Sequence, residues 1–404
     1  MIENKNILIG VSSSIAIYKT LELIRLFIKA KANVRVIMTP AASKFITPLT
    51  FETISQNKVL IENTESWAND NNHIDIGKWS DLFIIAPATA NTINKLSNGI
   101  ADNLLLQTAI AYPRVKLLAP AANTNMIQNP ITKKSLETLK ECNFKILSTL
   151  TKELACKDVG DGAMMEPEQI YHNALRELIK DEYWSNRSVV LNGGGTIEKI
   201  DDIRYISNFS SGKMASSLAT ALYYKGANVS LVHSSTSEIP NVLAIENISI
   251  QSTQEMFELS KEMIEKAKLI SKKPYFFGVA AVSDYTPVIS QNGKIKKEDM
   301  GKNWNLDLKQ NIDILNSIDK NGIYTIGFKA EMDKQKAKKN ALNMLENKSL
   351  DAVCLNILDD KNKFGNNTNK IELLTKNDQI EFEMDDKINI SLKLLDQLKK
   401  GFNE

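Results

Sequence analysis

Cysteine and histidine are scarce, and there is no apolar run of membrane-spanning length. Only three of each occur in 404 residues. Cys142, Cys156 and Cys354 are far apart and form no CxxC pair. That spacing argues against both a structural zinc site and a disulfide framework, and a reducing, cytoplasmic setting is expected. No run approaches the roughly 18 apolar residues a membrane helix needs, so no membrane partner is expected. The opening MIENKNILIGVSSS has no cationic stretch ahead of an apolar one and does not read as a signal peptide. Net charge is only +2, from 50 basic and 48 acidic side chains. Bulk charge therefore gives no reason to expect nucleic acid, and any anion site has to be local. There is no GK[ST] to end a Walker loop, no short repeat and no long acidic tail. What remains is an ordinary globular composition, 43% hydrophobic and 24% charged. A chain of this length implies two domains, or three small ones.

Strand-like and helix-like segments alternate. Lys5–Val11, Asn33–Met38, Asp81–Ala86, Val115–Ala119 and Phe144–Leu147 read as buried strands. Ile15–Ala30, Asn91–Leu96 and Ile131–Lys140 carry helical spacing between them. Such alternation predicts a parallel sheet with helices on both faces. The polar stretch Asp181–Arg187 breaks the pattern, which then restarts at Ser188–Leu191. A helix over about Lys213–Lys225 follows, with strands at Val229–His233, Phe276–Ala281, Tyr324–Phe328 and Ala352–Asn356. Lys370–Thr375 and Gln379–Glu383 flank a turn and read as a hairpin. The expected class is α/β, with two Rossmann-like domains at residues 1–180 and 187–404. Cys142 and Cys354 lack any motif and are expected to be buried.

The first strand ends in Gly10-Val11-Ser12-Ser13-Ser14 and a helix begins at once. Helix-start N–H groups and small hydroxyls suit a phosphate, although the same residues also serve as a plain cap. Downstream stand His73-Ile74-Asp75-Ile76-Gly77-Lys78-Trp79 and Ala86-Pro87-Ala88-Thr89-Ala90-Asn91. Pro120-Ala121-Ala122-Asn123-Thr124-Asn125-Met126 and Ala155-Cys156-Lys157-Asp158-Val159-Gly160-Asp161-Gly162-Ala163-Met164 complete the set. In this order, over roughly Lys5 to Pro167, they resemble the homo-oligomeric flavin-containing cysteine decarboxylases. The resemblance implies a Rossmann-like, flavin-dependent cysteine decarboxylase fold that binds FMN. It implies that His73 is the catalytic histidine, that Asn123 binds the substrate carboxylate, and that Cys156 lies on a flap over the substrate. It also implies that Ser12, Ser14, Thr39 and Thr89 hold the flavin. The chemistry fits these types. A plain carboxylate does not leave as CO₂, because the carbanion has no sink. Oxidation of the cysteine thiol to a thioaldehyde provides one, and a cofactor has to supply that redox step. Cys156, with an ordinary pKa of about 8.5, can hold the proton needed at the end. Ala122, Lys157 and Ala163 depart from the family's methionine, glycine and arginine.

In the second half, Gly193-Gly194-Gly195-Thr196 leads through Arg204 to Asn208-Phe209-Ser210-Ser211-Gly212-Lys213-Met214. Glycines permit close approach of backbone to a ligand, and Ser210–Gly212 precedes a helix. With Gly278–Tyr285, Lys294–Lys297, Gly327–Glu331 and Asp351–Asn356, this segment resembles phosphopantothenate–cysteine ligase from about Ser188 to Glu383. The resemblance implies that the carboxylate of 4′-phosphopantothenate is activated with CTP and Mg²⁺ as an acyl-cytidylate, which the amine of cysteine attacks. It implies that Asn208 contacts the acyl intermediate with Arg204 nearby, and that Lys294 is the catalytic lysine. Ala280, Asp284, Asp313, Phe328 and Lys348 fall at nucleotide positions, and the metal ligands are unassigned. Met344 stands where the family has a second triphosphate lysine. The basic run Lys334–Lys339 reads as a solvated helix face.

The leading expectation is thus a cytoplasmic bifunctional enzyme of coenzyme A biosynthesis that makes 4′-phosphopantetheine and CO₂. The resemblance also implies trimeric and dimeric contacts, hence a homo-oligomer, with a dodecamer expected. The alternatives are an active ligase with a degenerate decarboxylase half, and a flavin-fold regulatory binding protein.

Overall fold

The computed structural model describes residues 1–69, 71–153, 159–271, 273–296, 298, 303–360 and 362–402. The chain forms two compact units, Met1–Ile179 and Lys180–Glu404.

In the first unit, five strands form a parallel sheet: β1 (Asn6–Val11), β2 (Asn33–Met38), β3 (Leu82–Ala88), β4 (Lys116–Pro120) and β5 (Phe144–Ile146). Their order is β2-β1-β3-β4-β5. Helices cover both faces, so the central strands read as unbroken apolar runs rather than alternating ones. β3 is buried along its whole length. The helix Ile17–Lys29 buries Leu23, Ile24 and Phe27, each worth roughly 1.5–3 kcal/mol of apolar burial. Leu104, Leu105, Ala109 and Tyr112 pack with Phe83 and Leu118 in a common core cluster. The strand order turns in opposite directions from β1, which opens a crevice at the carboxyl ends of β1 and β3. An antiparallel hairpin of β6 (Leu150–Glu153) and β7 (Val159–Ala163) follows.

The second unit is built on an eight-stranded sheet. Its strands, with two small ladders, are β8 (Ser188–Gly193), β9 (Ile197–Lys199), β10 (Tyr205–Ser207), β11 (Asn228–Ser234) and β12 (Glu246–Ile250). Then come β13 (Tyr275–Gly278), β14 (Tyr285–Pro287), β15 (Leu308–Gln310), β16 (Tyr324–Glu331), β17 (Ala352–Ile357), β18 (Thr368–Thr375) and β19 (Gln379–Asp386). The sheet order is β12-β11-β8-β13-β16-β17-β18-β19, parallel as far as β17 and antiparallel beyond it. β9–β10 and β14–β15 are separate antiparallel ladders. Again the order reverses in the middle, between β8 and β13.

Two expectations need correction. The strand expected over Phe276–Ala281 ends at Gly278, because the N–H groups of Val279 and Ala280 both donate to Asn192 Oδ1, at 2.9 and 3.0 Å. Cys142 is exposed. Its helix ends at Glu141 and the chain turns through Asn143 (φ 62°), off the stripe that buries Thr132, Ser135 and Leu139. Cys354 is fully buried in β17, and burial pushes its thiol pKa up.

Candidate active sites

In the first unit the candidate residues gather just past the carboxyl ends of adjacent strands. Thr39 follows β2, Ser12 follows β1, Thr89 follows β3 and Asn123 follows β4. Ser12 Oγ donates to the Pro87 carbonyl at 2.8 Å and accepts the Thr89 N–H at 3.0 Å, tying the first and third loops together. Thr89 caps the helix Ala90–Ser97. Thr39 Oγ1 accepts the Ala42 N–H at 3.3 Å. Ser14 Oγ accepts the Ala16 N–H at 3.2 Å, but the helix Ile17–Lys29 has no side-chain cap at Ala16. The amides at its start are taken by the chain itself: the Ile17 N–H donates to the Ser14 carbonyl and the Lys19 N–H to the Ala16 carbonyl, both at 3.0 Å.

Beside this row lies a cavity of about 730 Å³, lined among others by Ser14, Ala16, Lys19, Asn123, Lys152 and Glu166. That volume has room for a ligand of the size of a flavin mononucleotide, and of the four hydroxyl residues Ser14 is among its described lining residues while Ser12, Thr39 and Thr89 are not. Asn123 Oδ1 accepts the Asn125 N–H at 2.9 Å, which fixes the amide at the start of the helix Thr124–Gln128. His73 is not among the described lining residues. Its Nδ1 lies 2.9 Å from Glu65 Oε1, and its ring stands edge-on to Trp67. Cys156 lies outside the described residues.

In the second unit a narrower cavity of about 180 Å³ opens where the sheet order reverses. Gly194, Ser211, Lys213, Ala280 and Phe328 are among its lining residues. A Cβ on Gly195 would come within 2.4 Å of the Asn208 carbonyl, so only glycine allows that approach. Asn208 Nδ2 donates to the Val282 carbonyl at 2.9 Å, which ties it to the Ala280 segment. Asp284 is exposed, and its carbonyl accepts the Asn311 N–H at 2.8 Å. Lys348 pairs with Asp313 at 2.7 Å, and Asp313 also caps the short helix Ile314–Ser317. Arg204, Lys294, Asp313 and Lys348 do not line this cavity. Met344 is a packing residue: its Cε is the nearest atom that a Cβ on Gly327 would meet, at 2.7 Å. In the neighbouring basic run, Lys334 pairs with Asp359 at 3.4 Å and Lys336 with Asp333 at 3.6 Å, on an exposed helix face. Among the described residues no three histidine, cysteine or acidic side chains gather to hold a metal ion.

Residues 1–178 match the family described as Flavoprotein. Residues 184–402 match the family described as DNA/pantothenate metabolism flavoprotein C-terminal domain. The chain is 35% identical over 410 residues to the coenzyme A biosynthesis bifunctional protein CoaBC of Haemophilus influenzae, covering 100% of this chain and 99% of that protein. It is 34% identical to the protein of the same description in Bacillus subtilis, covering 98% and 97%. The chain belongs to this family. It is a bifunctional enzyme with a flavoprotein decarboxylase half and a ligase half. A relative described as a cysteine/cysteine sulfinic acid decarboxylase, from an unknown prokaryotic organism, is 36% identical over 87% of this chain and 98% of its own length.

The structure adds residues that motif reading passed over. Asp201 is buried and accepts from Arg204 Nε at 3.0 Å and Nη2 at 2.5 Å, and from the backbone N–H groups of Ile203, Arg204 and Ile295. The Arg204 hydrogen bonds, against the desolvation that opposes them, hold its carboxyl well below the usual carboxylate range. Asn192 shapes the turn at Ala280, and Glu65 orients His73. A polar residue at the end of a buried strand was the visible signal for Asn192, and the Asp-x-x-Arg spacing was the signal for Asp201.

Proposed function

We propose that residues 1–180 form an FMN-dependent phosphopantothenoylcysteine decarboxylase domain and residues 187–404 a CTP-dependent phosphopantothenate–cysteine ligase domain. The ligase product is the decarboxylase substrate, and the final products are 4′-phosphopantetheine and CO₂. The observation that carries this is the row of motif residues at the carboxyl edge of the first sheet, with Gly194, Ala280 and Phe328 around the cavity where the second sheet's order reverses, in a chain whose family match spans both halves.

In the ligase, CTP converts a poor electrophile into an acyl-cytidylate with a good leaving group. Ala280 and Phe328 frame the nucleotide, with Asp284, Asp313 and Lys348 contributing. Lys348 exchanges its Asp313 partner for phosphate. Lys294 neutralises charge on the reacting phosphate, while Asn208 and Arg204 hold the acyl group for attack by the cysteine amine. Mg²⁺ would accompany the triphosphate of CTP and neutralise part of its charge.

In the decarboxylase, Ser12, Ser14, Thr39 and Thr89 hold FMN, which when bound supplies the two-electron chemistry on the thiol. Asn123 holds the carboxylate. Glu65 takes the Nδ1 proton of His73 in a hydrogen bond, which leaves Nε2 as the acceptor for a substrate proton. Cys156 delivers the last proton. His73 is not among the described residues that line the Asn123 cavity, and we assign it to a site completed by another subunit of a trimer. Exposed Ile203, Tyr205, Phe209 and Tyr285 support a dimeric contact in the ligase half. Together the two contacts give a dodecamer. Among the described residues no helix is long and apolar enough to cross a membrane, and we assign the enzyme to the cytoplasm.

Mass spectrometry of products from 4′-phosphopantothenate, cysteine and CTP tests the whole scheme. The full chain is expected to yield 4′-phosphopantetheine. Residues 180–404 alone are expected to stop at phosphopantothenoylcysteine. Free cysteine belongs in the same assay, because one relative is described as acting on it. CO₂ from free cysteine at the rate of the acylated substrate would reassign the first half.

A second expectation concerns Gly162. The Ala122 N–H donates to its carbonyl at 3.1 Å, and a Cβ there would come within 2.1 Å of the Ala122 carbonyl oxygen. Gly162→Ala therefore displaces the turn that carries Asn123. CO₂ release is expected to fall at least about tenfold, the cost of roughly 1.4 kcal/mol in the transition state, while CTP-dependent pyrophosphate release stays unchanged. Equal loss of both activities would mean general misfolding instead.

A further inference from the structure

The cavity that holds Asn123 carries a positive charge that binding a carboxylate at an amide does not use. Of its described lining residues, three are charged at neutral pH: Lys19, Lys152 and Glu166. They come from three separate places, the helix Ile17–Lys29, strand β6, and the residue just before the helix Pro167–Ile179. Lys19 Nζ donates to Glu166 Oε1 at 2.9 Å, and Lys152 Nζ hydrogen-bonds the same oxygen. Burial raises the Glu166 carboxyl, but the hydrogen bonds from the two lysines outweigh it and hold the group below its ordinary value. Glu166 is therefore ionised at neutral pH, and two cations share one anion. Each ammonium has three N–H donors, and one from each goes to Glu166. Two further donors on each ammonium and a net positive charge remain among the residues that line the cavity.

We propose that Lys19 and Lys152 form a subsite for a phosphate monoester, that of the thiol substrate, with Glu166 holding the two ammonium groups at a fixed spacing. This rests on the reading of the cavity as the decarboxylase site. The substrate has two anionic ends with opposite fates. The carboxylate is lost, and it meets a neutral amide. A lysine there would stabilise the ground-state carboxylate and oppose its departure. The phosphate persists from substrate to product and takes charge-assisted hydrogen bonds from cations. The subsite makes this half select phosphorylated pantothenoyl thiols over their dephosphorylated forms and over free cysteine. Lys152 is the discriminating residue, because its removal leaves a neutral Lys19–Glu166 pair.

The test is a titration of the flavin-loaded full chain with 4′-phosphopantetheine and with pantetheine, followed by the flavin absorbance change. That signal reports only on the first unit, so binding at the ligase does not interfere. The wild type is expected to bind the phosphorylated thiol at least about tenfold more tightly. Lys152→Ala is expected to weaken that thiol by about ten- to a hundredfold, the loss of one charge-assisted hydrogen bond, and to leave pantetheine within about twofold. Glu166→Gln removes the competing anion and moves the phosphorylated thiol the other way, to tighter binding. A merely structural ion pair predicts that both variants weaken both thiols, and that result overturns the proposal. Loss of FMN but not riboflavin from Lys152→Ala, with thiol discrimination intact, assigns the phosphate to the flavin and also overturns it. If neither thiol perturbs the wild-type flavin, the cavity reading itself fails. If both bind alike in all proteins, only the lysine subsite fails.

Discussion

Asn123→Asp is expected to lower CO₂ release from phosphopantothenoylcysteine by at least about a hundredfold while leaving the fold unchanged. Asn123 caps a short helix, with Oδ1 on the Asn125 N–H at 2.9 Å, and aspartate caps as well as asparagine. The substitution therefore spares the turn and changes only donor and charge. Losing one N–H donor to a carboxylate costs roughly 1.5–3 kcal/mol, which by itself is about one to two decades. A second carboxylate facing the substrate's own adds repulsion and forces one of them to take up a proton. A pH signature follows from that sign. Residual activity of the variant rises as pH falls, because the introduced carboxyl donates again once it is protonated, and the wild type shows no such gain. Asn123→Ala loses cap and donor together and is expected to lower both activity and melting temperature. CO₂ release at several pH values, with thermal melts of each protein, measures this. Near-normal turnover in Asn123→Asp would remove Asn123 from the carboxylate site.

The parallel strands of the two sheets were legible because the inner ones are continuous apolar runs, as in DLFIIA and SVVL. The hairpin β6–β7 was not. LTKE and VGDGA offer neither alternation nor an apolar run, and what pairs them is register, with Lys152 opposite Gly160. The ladders β9–β10 and β14–β15 are three residues long and partly exposed, too short for any periodicity to register. In the sites, residues just after a strand were legible because the strand itself was, as with Ser12, Thr89 and Asn123. Supports that depend on distant contacts were not. Lys19 and Glu166 are 147 residues apart, and Asp201 reaches Ile295 across 94. Met344 was visible as a missing lysine, but only its packing under Gly327 explains what it does instead.

Lys294→Gln is expected to slow pyrophosphate release by about 10²–10³-fold, the usual effect of removing one donor aimed at charge developing in the transition state. Lys294 is exposed, yet the backbone on either side is held. The Gly293 N–H donates to Asp202 Oδ2 at 2.7 Å and the Ile295 N–H to Asp201 Oδ2 at 3.1 Å, while Arg204 Nη2 donates to the Ile295 carbonyl at 3.1 Å. A side chain that faces solvent from an anchored loop contributes little to stability, so Lys294→Gln is expected to keep the wild-type melting temperature. The defect belongs to the first half-reaction. With CTP and 4′-phosphopantothenate but no cysteine, the burst of pyrophosphate is expected to slow, whereas decarboxylation of supplied phosphopantothenoylcysteine is unchanged. Asp201→Asn separates position from chemistry. It removes the charge that fixes Arg204 and weakens one anchor of the loop, so it is expected to raise KM for 4′-phosphopantothenate more than it lowers kcat. A carboxylate whose folded pKa is depressed contributes stability above its unfolded pKa and loses it only as pH falls through the folded value. Asp201 is held well below the usual range, so it stays ionised throughout the mildly acidic and neutral range, and any change of rate there arises from other groups. Unchanged pyrophosphate release in Lys294→Gln at saturating CTP would exclude Lys294 from the reacting phosphate.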